Sequence, residues 1–442
     1  MRATEVQSLV PIIYFGDGPG ASNYQFRPST ALAAQHDLVI VGMRGIEGSR
    51  TLDCPEVNQA FAEPAALSDA WTQAVTDAFA ACMERMQGDH AELVGYGVRE
   101  IVADVDRVRE LLGYEHVHIL ADGFGAVLAR LYAQLYPERV TRMVLLGPTP
   151  TATPVSQPAD AERVLRAYQE ACSHDSACNE RAADVVSTIR ELQPPDRWLV
   201  YKIDRGRLAL ATTLQLGYRR GALLNLGAWQ DAAHGDMAGV GQVSWGTDIV
   251  LNSGFVWGAG LLQLASVAPA DMVAKSMPIA TQNEPLLPPA TVVTALASLG
   301  LSAKSLPQFP DLPSESPAQP TLVVYGELDP RFAPATIRPA MAAELRDVSF
   351  THVAGYGMPG ELWRAAPDLL TRTITGFLDG HAAPSDIAPP YLPENALRMA
   401  TMARLVVATI AAFPIVGFGI AYLLWRRVRR AVRRDAAAQH AA

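Results

Sequence analysis

The chain has 442 residues, 49% of them hydrophobic and 18% charged, which suffices for one large domain with an insertion and further segments. Its net charge is −9, and no basic stripe interleaved with aromatics precedes the C-terminal tail, which argues against nucleic acid as a partner. No cofactor or metal is expected, because no second cluster of cysteines or histidines accompanies the four cysteines.

The first predicted element is a strand that leads into a glycine-rich turn. The apolar run 10–15 is typical of a strand, and the turn after it contains Asp17, Gly18, Pro19 and Gly20. The residues before this strand lack the basic region and long apolar region of an export signal. Two interpretations stay open: the numbered start lies inside a longer natural chain, which we favour, or the large domain is cytoplasmic.

The four cysteines form two pairs along the chain, an even number that is typical of an oxidising compartment. Cys54 and Cys82 precede the central predicted strand, and Cys172 and Cys178 follow it. The short polar segment between Cys172 and Cys178 suits a local bridge. We therefore predict disulfides Cys54–Cys82 and Cys172–Cys178, with reduced and buried thiols as the alternative.

A strand, a tight turn and a helix follow one another around Gly123. The run 116–120 is predicted as a strand and 126–135 as a helix. This order matches the G-x-S-x-G elbow, in which small residues lie two positions before and two positions after a nucleophilic serine. Ala121 and Gly125 occupy the two small positions. Gly123 therefore lies at the nucleophile position, where it offers no hydroxyl.

An aspartate nucleophile is the alternative assignment of this turn. With Asp122 as nucleophile, the bulky Leu120 and Phe124 would occupy the positions that require small residues, so we disfavour it. A serine in such an elbow is held at strained backbone angles at a cost of about 1 to 3 kcal/mol. Glycine adopts a positive φ without that strain, which explains how the turn persists without the hydroxyl.

A further strand and loop follow a long interval. The segment TLVVYGELDPRFAP reads as a strand that ends in a G-x-x-D loop, with Asp329 at the position of a triad acid, and HVAGYGMPG places Tyr356 where a catalytic histidine would lie. A glycine and a phenol cannot replace the hydroxyl and imidazole of a serine hydrolase. Asp329 is interpreted as a loop-stabilising residue, and His352 as a core or edge histidine.

The C-terminal region contains a long uncharged stretch. Residues 405–425 carry no charged side chain, and such a helix would span about 30 Å of hydrocarbon, so we predict one transmembrane helix. Six arginines follow within 426–434, and the positive-inside rule then places the C-terminus in the cytoplasm and the acidic large domain in the periplasm or outside the cell. Gly417 and Ala421 form a small-residue face for a partner helix.

Together these segments resemble the tripeptidyl aminopeptidase and proline iminopeptidase group of α/β-hydrolases. The resemblance covers most of residues 10–380 and rests on the turn GDGPGAS, the strand LVIVGMRGIEGS, the stretch ADVDRVRELLGYEHVHIL and the stretch YPERVTRMVLLGP. It implies an α/β-hydrolase fold: a mostly parallel sheet with helices on both faces and a helical cap. The strand motif departs from the family pattern in lacking its first aspartate.

The resemblance also assigns roles to site residues. The family's GGPG turn supplies part of the oxyanion hole, and here Asp17 places a carboxylate at its first position, which opposes stabilisation of a developing negative charge. A glutamate near the position of Glu284 binds a peptide's N-terminal amine in that group. Glu284 either keeps that role or is a solvated, loop-capping residue. Trp229, Trp245 and Trp257 are assigned to the core of the cap.

The predicted domain organisation has six parts. They are the first part of the hydrolase core (1–148), the helical cap (149–317), the second part of the core (318–380), a linker (381–404), the transmembrane helix (405–425) and a basic cytoplasmic tail (426–442).

Three functional hypotheses follow. The first is a membrane-anchored, catalytically inactive hydrolase homologue that acts as a binding or scaffold protein. The second is an active peptidase or esterase with a non-standard site that enlists Ser22 or Asp122. The third is an accessory subunit of a larger membrane complex. The expected partners are membrane lipid, a membrane protein that contacts the transmembrane helix, and a peptide or lipid in the capped cleft.

Overall fold

The structure is a computed structural model that describes residues 10–48, 50–62, 65–88, 92–153, 155–174, 184–267, 287–389 and 398–439. Within the last range, side chains are described for 398–412 and 420–427.

In the described part of the chain, nine strands form one large sheet and one small hairpin. They are β1 (Ile12–Phe15), β2 (Leu38–Ile40), β3 (Val117–Asp122), β4 (Val140–Leu146), β5 (Arg197–Trp198), β6 (Tyr201–Lys202), β7 (Thr321–Gly326), β8 (Val348–Val353) and β9 (Asp386–Ile387). The large sheet has the order β2-β1-β3-β4-β7-β8-β9, and all its pairs are parallel. Every residue of β1 and β7 is buried, as expected for strands covered on both faces. The predicted mostly parallel sheet is confirmed.

Sixteen α-helices lie within the described residues. They are α1 (Thr30–Gln35), α2 (Pro55–Phe61), α3 (Asp69–Gly88), α4 (Val98–Leu111), α5 (Gly125–Leu135), α6 (Pro158–Ser173), α7 (Val185–Glu191), α8 (Arg205–Leu216), α9 (Arg219–Ala233), α10 (Ala238–Ser253), α11 (Trp257–Ala265), α12 (Val292–Ser298), α13 (Pro334–Glu344), α14 (Leu362–Ala365), α15 (Pro367–Leu378) and α16 (Met399–Gln439). Short 3-10 helices cover Asn23–Gln25, Leu93–Tyr96, Leu299–Ser302 and Pro359–Glu361.

The two faces of the sheet pack against different helices. On one face, residues of α2 to α5 and α11 to α13 form the largest apolar cluster, which includes Phe15, Phe79 and Tyr132. On the other face, α1, α14 and α15 cover the sheet through a second cluster that includes Leu120 and Ile374. The sheet is thus held between two helical layers, as the α/β architecture requires.

The interval between β4 and β7 forms the cap and part of the core. Helices α6 to α10 share their own apolar cluster, in which Trp229 is buried. Trp257 lies instead in the main core, where its ring meets Phe61 and Phe79, because α11 returns to the sheet. Trp245 is 43% exposed. The assignment to the cap core is therefore right for Trp229 and wrong for the other two tryptophans.

A disulfide joins α2 to α3. Cys54 and Cys82 are bonded, with their Cα atoms 5.5 Å apart, which confirms that prediction. Cys172, at the end of α6, is disulfide-bonded as well. Its predicted partner Cys178 lies outside the described residues.

The segment predicted as a linker contributes to the fold. It contains β9, which pairs with β8, and the start of α16, where Ala400 and Ala403 are buried against the cap. In the part of the chain that is described, no helix has both the length and the apolar character needed to cross a membrane. The side chains of 413–419, including Gly417, lie outside that description.

Candidate functional site

The turn at Gly123 has the geometry that its sequence predicts. β3 ends at Asp122, α5 begins at Gly125, and Gly123 between them has φ +52°. A Cβ atom at Gly125 would overlap the backbone carbonyl oxygens of Phe15 and Gly16, which is the steric reason for a small residue there. The predicted strand, turn and helix are therefore present, with Gly123 in the turn between them.

The Asp17 carboxylate occupies the space in front of Gly123. A Cβ atom built on Gly123 would overlap this carboxylate. Asp17 Oδ1 accepts hydrogen bonds from the backbone N–H groups of Phe124 (2.8 Å) and Gly18 (2.9 Å). One N–H belongs to the residue after Gly123 and the other to the glycine-rich turn. The Asp17 carboxylate thus fills the space next to these two N–H groups, which we call the anion site.

A buried ion pair lies beside this anion site. Arg331 donates from Nη2 to Asp329 Oδ2 (2.8 Å) and from Nε to Asp329 Oδ1 (3.1 Å), and both side chains are buried. Its Nη1 lies 3.5 Å from Asp17 Oδ2. A Cβ atom at Gly147, after β4, would overlap Arg331 Nη2, so a glycine there makes room for the guanidinium. Asp329 is therefore paired with Arg331 through both of its carboxylate oxygens.

Tyr356 is packed in the apolar core. It is 1% exposed and belongs to the cluster on the face of α15, with the Arg219 guanidinium 5.8 Å from its ring centre. Burial raises the pKa of its phenol. A neutral, buried phenol does not supply the base that a serine nucleophile needs.

Asp122 is a second carboxylate at this edge of the sheet. Its Oδ2 accepts a hydrogen bond from the Tyr14 hydroxyl at 2.8 Å. Burial raises the pKa of Asp122 to about 7, although this hydrogen bond favours the ionised form. Burial likewise raises the pKa of the cap residue Tyr218 to about 12, and the nearby Asp17 carboxylate adds to the shift. Asp122 therefore titrates near neutral pH.

The remaining residues that the sequence analysis singled out are not among these contacts around Gly123. Ser22 caps a 3-10 helix, where its Oγ accepts from Tyr24 N (3.2 Å) and donates to Glu47 (2.6 Å). His352 lies in β8, between β7 and β9, and its ring nitrogen is 3.2 Å from the carboxylate of Asp386 in the edge strand β9. Glu284 lies outside the described residues.

Sequence reasoning missed two residues of the site. Arg331 follows the G-x-x-D loop by two positions, and only its charge beside an acid could have singled it out. Tyr14 lies in β1, where its alternation with apolar neighbours reads as core. Arg331 contacts Asp17, and Tyr14 contacts Asp122, in each case across more than a hundred positions of the chain.

These features define a class of protein. A parallel sheet carries a strand–turn–helix elbow, a glycine-rich turn that points N–H groups at it, an acid after β7 and a helical cap, which is the arrangement of an α/β-hydrolase. The chain belongs to the family described as the alpha/beta hydrolase fold, which matches residues 10–358.

The sequence is also similar to particular relatives. It is 27% identical over 143 residues to a proline iminopeptidase of Neisseria meningitidis serogroup A, covering 31% of this chain and 32% of that one. It is 36% identical over 58 residues to a proline iminopeptidase of Xylella fastidiosa, covering 13% and 18% of the two chains. The match thus spans about a third or less of these relatives.

Two solved structures match most of this chain at low sequence identity. An epoxide hydrolase of Bacillus megaterium is 13% identical, with 84% of this chain and 95% of that chain covered and a TM-score of 0.37. An esterase of Thermogutta terrifontis is 13% identical, with 84% and 90% covered and a TM-score of 0.38.

Proposed function

We propose that this protein is an α/β-hydrolase homologue that binds a ligand in its capped cleft and does not carry out serine-hydrolase chemistry at its elbow. The observation that carries the proposal is the Asp17 carboxylate, which accepts from both N–H donors of the anion site and fills the space in front of Gly123. An oxyanion hole accelerates acyl transfer because its donors meet charge that develops only in the transition state. Here a permanent negative charge already holds those donors.

The missing base supports the same proposal. A nucleophile at this elbow is activated by a histidine that an acid orients. Tyr356 lies at the histidine position and is buried, and Asp329 is held by Arg331 through both carboxylate oxygens. On this proposal, Gly123, Tyr356 and Asp329 each have a structural role.

The charges of the site favour a particular class of ligand. Among the described residues, Asp17, Asp122 and Asp329 lie near Arg331, and Arg163 donates to the backbone carbonyl of Asp329, so carboxylates outnumber cations at the elbow. Such a site attracts a positive group and repels an anion. We propose a peptide with a free N-terminal amine as the ligand, with membrane lipid or a membrane-protein partner as the other expected contacts of the chain.

The first experiment tests for the absence of serine-hydrolase chemistry. The purified full chain is treated with a fluorophosphonate probe and with chromogenic aminoacyl and ester substrates. We expect no labelling and no turnover above a buffer control. Labelling at a serine of this chain, with turnover that follows the protein through purification, would overturn the proposal.

A second experiment tests ligand binding. Binding of proline-containing peptides with free or acetylated N-termini is measured by calorimetry. We expect the free amine to bind more tightly and the Asp17→Asn variant to lose that preference. Equal affinity for the two forms would exclude the proposed ligand class.

Hydrolysis by a non-standard site is the second candidate function, and the comparisons fit it more closely than they fit an inactive scaffold. The relatives are named proline iminopeptidases, and the family is one of hydrolases. The supporting observation in this chain is Asp122, whose pKa of about 7 suits a general base that takes a proton from an attacking water.

This candidate makes a distinct prediction. Any turnover would rise with pH with an apparent pKa near 7 and would disappear in Asp122→Asn, whereas the fluorophosphonate probe would still fail to label. Turnover that persists in Asp122→Asn would exclude this base.

A further inference from the structure

The tip of the β5–β6 hairpin presents two large apolar side chains to solvent. Leu199 and Val200 connect the two strands and are 59% and 56% exposed. Leu199 also has φ +50°, in the left-handed region that glycine or asparagine normally occupies in such turns. Exposure and backbone strain both reduce the stability of the isolated domain. A requirement other than stability therefore explains these side chains at this turn.

The strands of the hairpin carry like charges directly opposite each other. Arg197 pairs with Lys202 in the antiparallel register, an arrangement that destabilises a hairpin. Both line a cavity of about 860 Å³ that the loop 65–68 also lines. The other charged residues that line it are Arg190, Arg205, Arg207, Asp196 and Asp204. Cations thus outnumber acids among the residues that line this cavity, although Arg207 is paired with Asp248, which does not line it.

The apolar tip continues onto a strip of α10. Trp245 is 43% exposed and meets the ring of Tyr201, in β6, edge-on at 5.9 Å. Ile249, one turn further along α10, is 46% exposed. We name the hairpin face the tip residues Leu199 and Val200 with the groups on their two sides, the cations Arg197 and Lys202 on one side and Trp245 and Ile249 of α10 on the other.

The same surface lies where α16 leaves the domain. Tyr201 shares a small buried cluster with Ala400 and Ala403 of α16, and Val407 packs against this cluster. Beyond Val407 the described residues of α16 are exposed. The uncharged stretch 405–425 therefore begins beside the hairpin face.

We infer that the hairpin face docks onto a bilayer that contains anionic lipid. The apolar side chains enter the boundary between headgroups and hydrocarbon, where tryptophan is favoured, and Arg197 and Lys202 contact lipid phosphates. An exposed apolar tip flanked by cations suits a lipid surface. The uncharged stretch 405–425, which begins beside the hairpin face, would bring a lipid surface close to that tip. The inference goes beyond the elbow and holds whether or not the elbow is active.

The experiment uses the full chain in lipid nanodiscs with or without phosphatidylglycerol. Because the described cysteines are disulfide-bonded, Leu199→Cys introduces a site for a nitroxide label. We expect the label to favour collision with oxygen over a nickel chelate in anionic nanodiscs, and Val200→Cys to behave alike. Leu111→Cys, at the exposed end of α4, is the matched control and should stay accessible to nickel.

A charge variant tests the role of the cations. Arg197→Gln with Lys202→Gln should lower the ratio of docked to undocked label about thirty-fold in anionic nanodiscs, at about five-fold per charge. Arg107→Gln with Arg346→Gln, two exposed arginines of the hydrolase core, should leave the ratio unchanged. Nickel access at 199 equal to that at 111, or equal docking with and without anionic lipid, would overturn the inference. Dipolar broadening between labels would do so too, since it would show contact between two copies.

Discussion

Gly123 and Asp17 cannot be changed independently if the carboxylate occupies the anion site. Gly123→Ala places a Cβ atom where the Asp17 carboxylate lies, so the carboxylate must leave its two N–H donors. Asp17→Ala removes the carboxylate and leaves the space open. A double-mutant cycle between the two positions therefore measures whether they share one volume.

The expected magnitudes follow from the geometry. A left-handed backbone at position 123 costs an alanine about 1.5 kcal/mol. Loss of the two charge-assisted hydrogen bonds costs about 1.5 kcal/mol, reduced from their buried value because the Asp17 side chain is 42% exposed. Gly123→Ala should then cost about 3 kcal/mol and Asp17→Ala about 1.5 kcal/mol. The double variant should cost about 3 kcal/mol rather than 4.5, a coupling of about 1.5 kcal/mol.

Urea unfolding of the full chain, followed by tryptophan fluorescence, measures these free energies. Gly113→Ala is the matched control, because Gly113 has φ +78° with open space around its Cβ position and should show strain without coupling to Asp17. Additive effects of Gly123→Ala and Asp17→Ala would refute the assignment of Asp17 to the anion site.

Three further predictions concern pH, the disulfide and the acid. Because burial raises the pKa of Asp122 from 3.8 to about 7, the folded state keeps a proton that the unfolded chain releases, so this group lowers stability as pH rises through that range. Asp122→Asn should remove this dependence in unfolding titrations. Replacing Cys54 and Cys82 by serine should lower the free energy of urea unfolding by about 3 kcal/mol, given a sequence separation of 28 residues. The triple variant Gly123→Ser, Tyr356→His and Asp17→Gly should leave ester hydrolysis at background, because Arg331 still holds Asp329. Adding Arg331→Leu to the triple variant should give slow turnover. Ester hydrolysis by the triple variant alone would contradict this explanation.

The elements around the elbow could be predicted because local patterns determine them. The small residues at 121 and 125 predict a turn that passes close to β1, and Phe15 and Gly16 supply the backbone it approaches. The pair Cys54 and Cys82 was predicted from an even number of cysteines and their positions in the chain, and the two are bonded. In each case a short segment contains the information.

The contents of the site could not be predicted in the same way. Asp17 and Arg331 meet because β1, β3, β4 and β7 are neighbours in one sheet, and no local pattern encodes that meeting. The sequence indicated that a carboxylate at position 17 opposes an oxyanion, but not that it accepts from the N–H of Phe124. The position of Trp257 was missed for a related reason: α11 follows the cap helices in the chain but packs in the main core.

On the proposal that the elbow carries out no serine-hydrolase chemistry, its residues serve the stability of the fold. A serine nucleophile is held at unfavourable backbone angles, and Gly123 adopts φ +52° without that cost. Donors that an oxyanion hole keeps ready for a transition state are satisfied here by Asp17, and the acid that would orient a histidine is satisfied by Arg331. On the same proposal, each of these residues favours the folded state at the expense of chemistry, as expected where activity and stability compete. Because these residues share space and charge, the proposal predicts that a single substitution toward a triad leaves the site unreactive and that several together are needed for turnover.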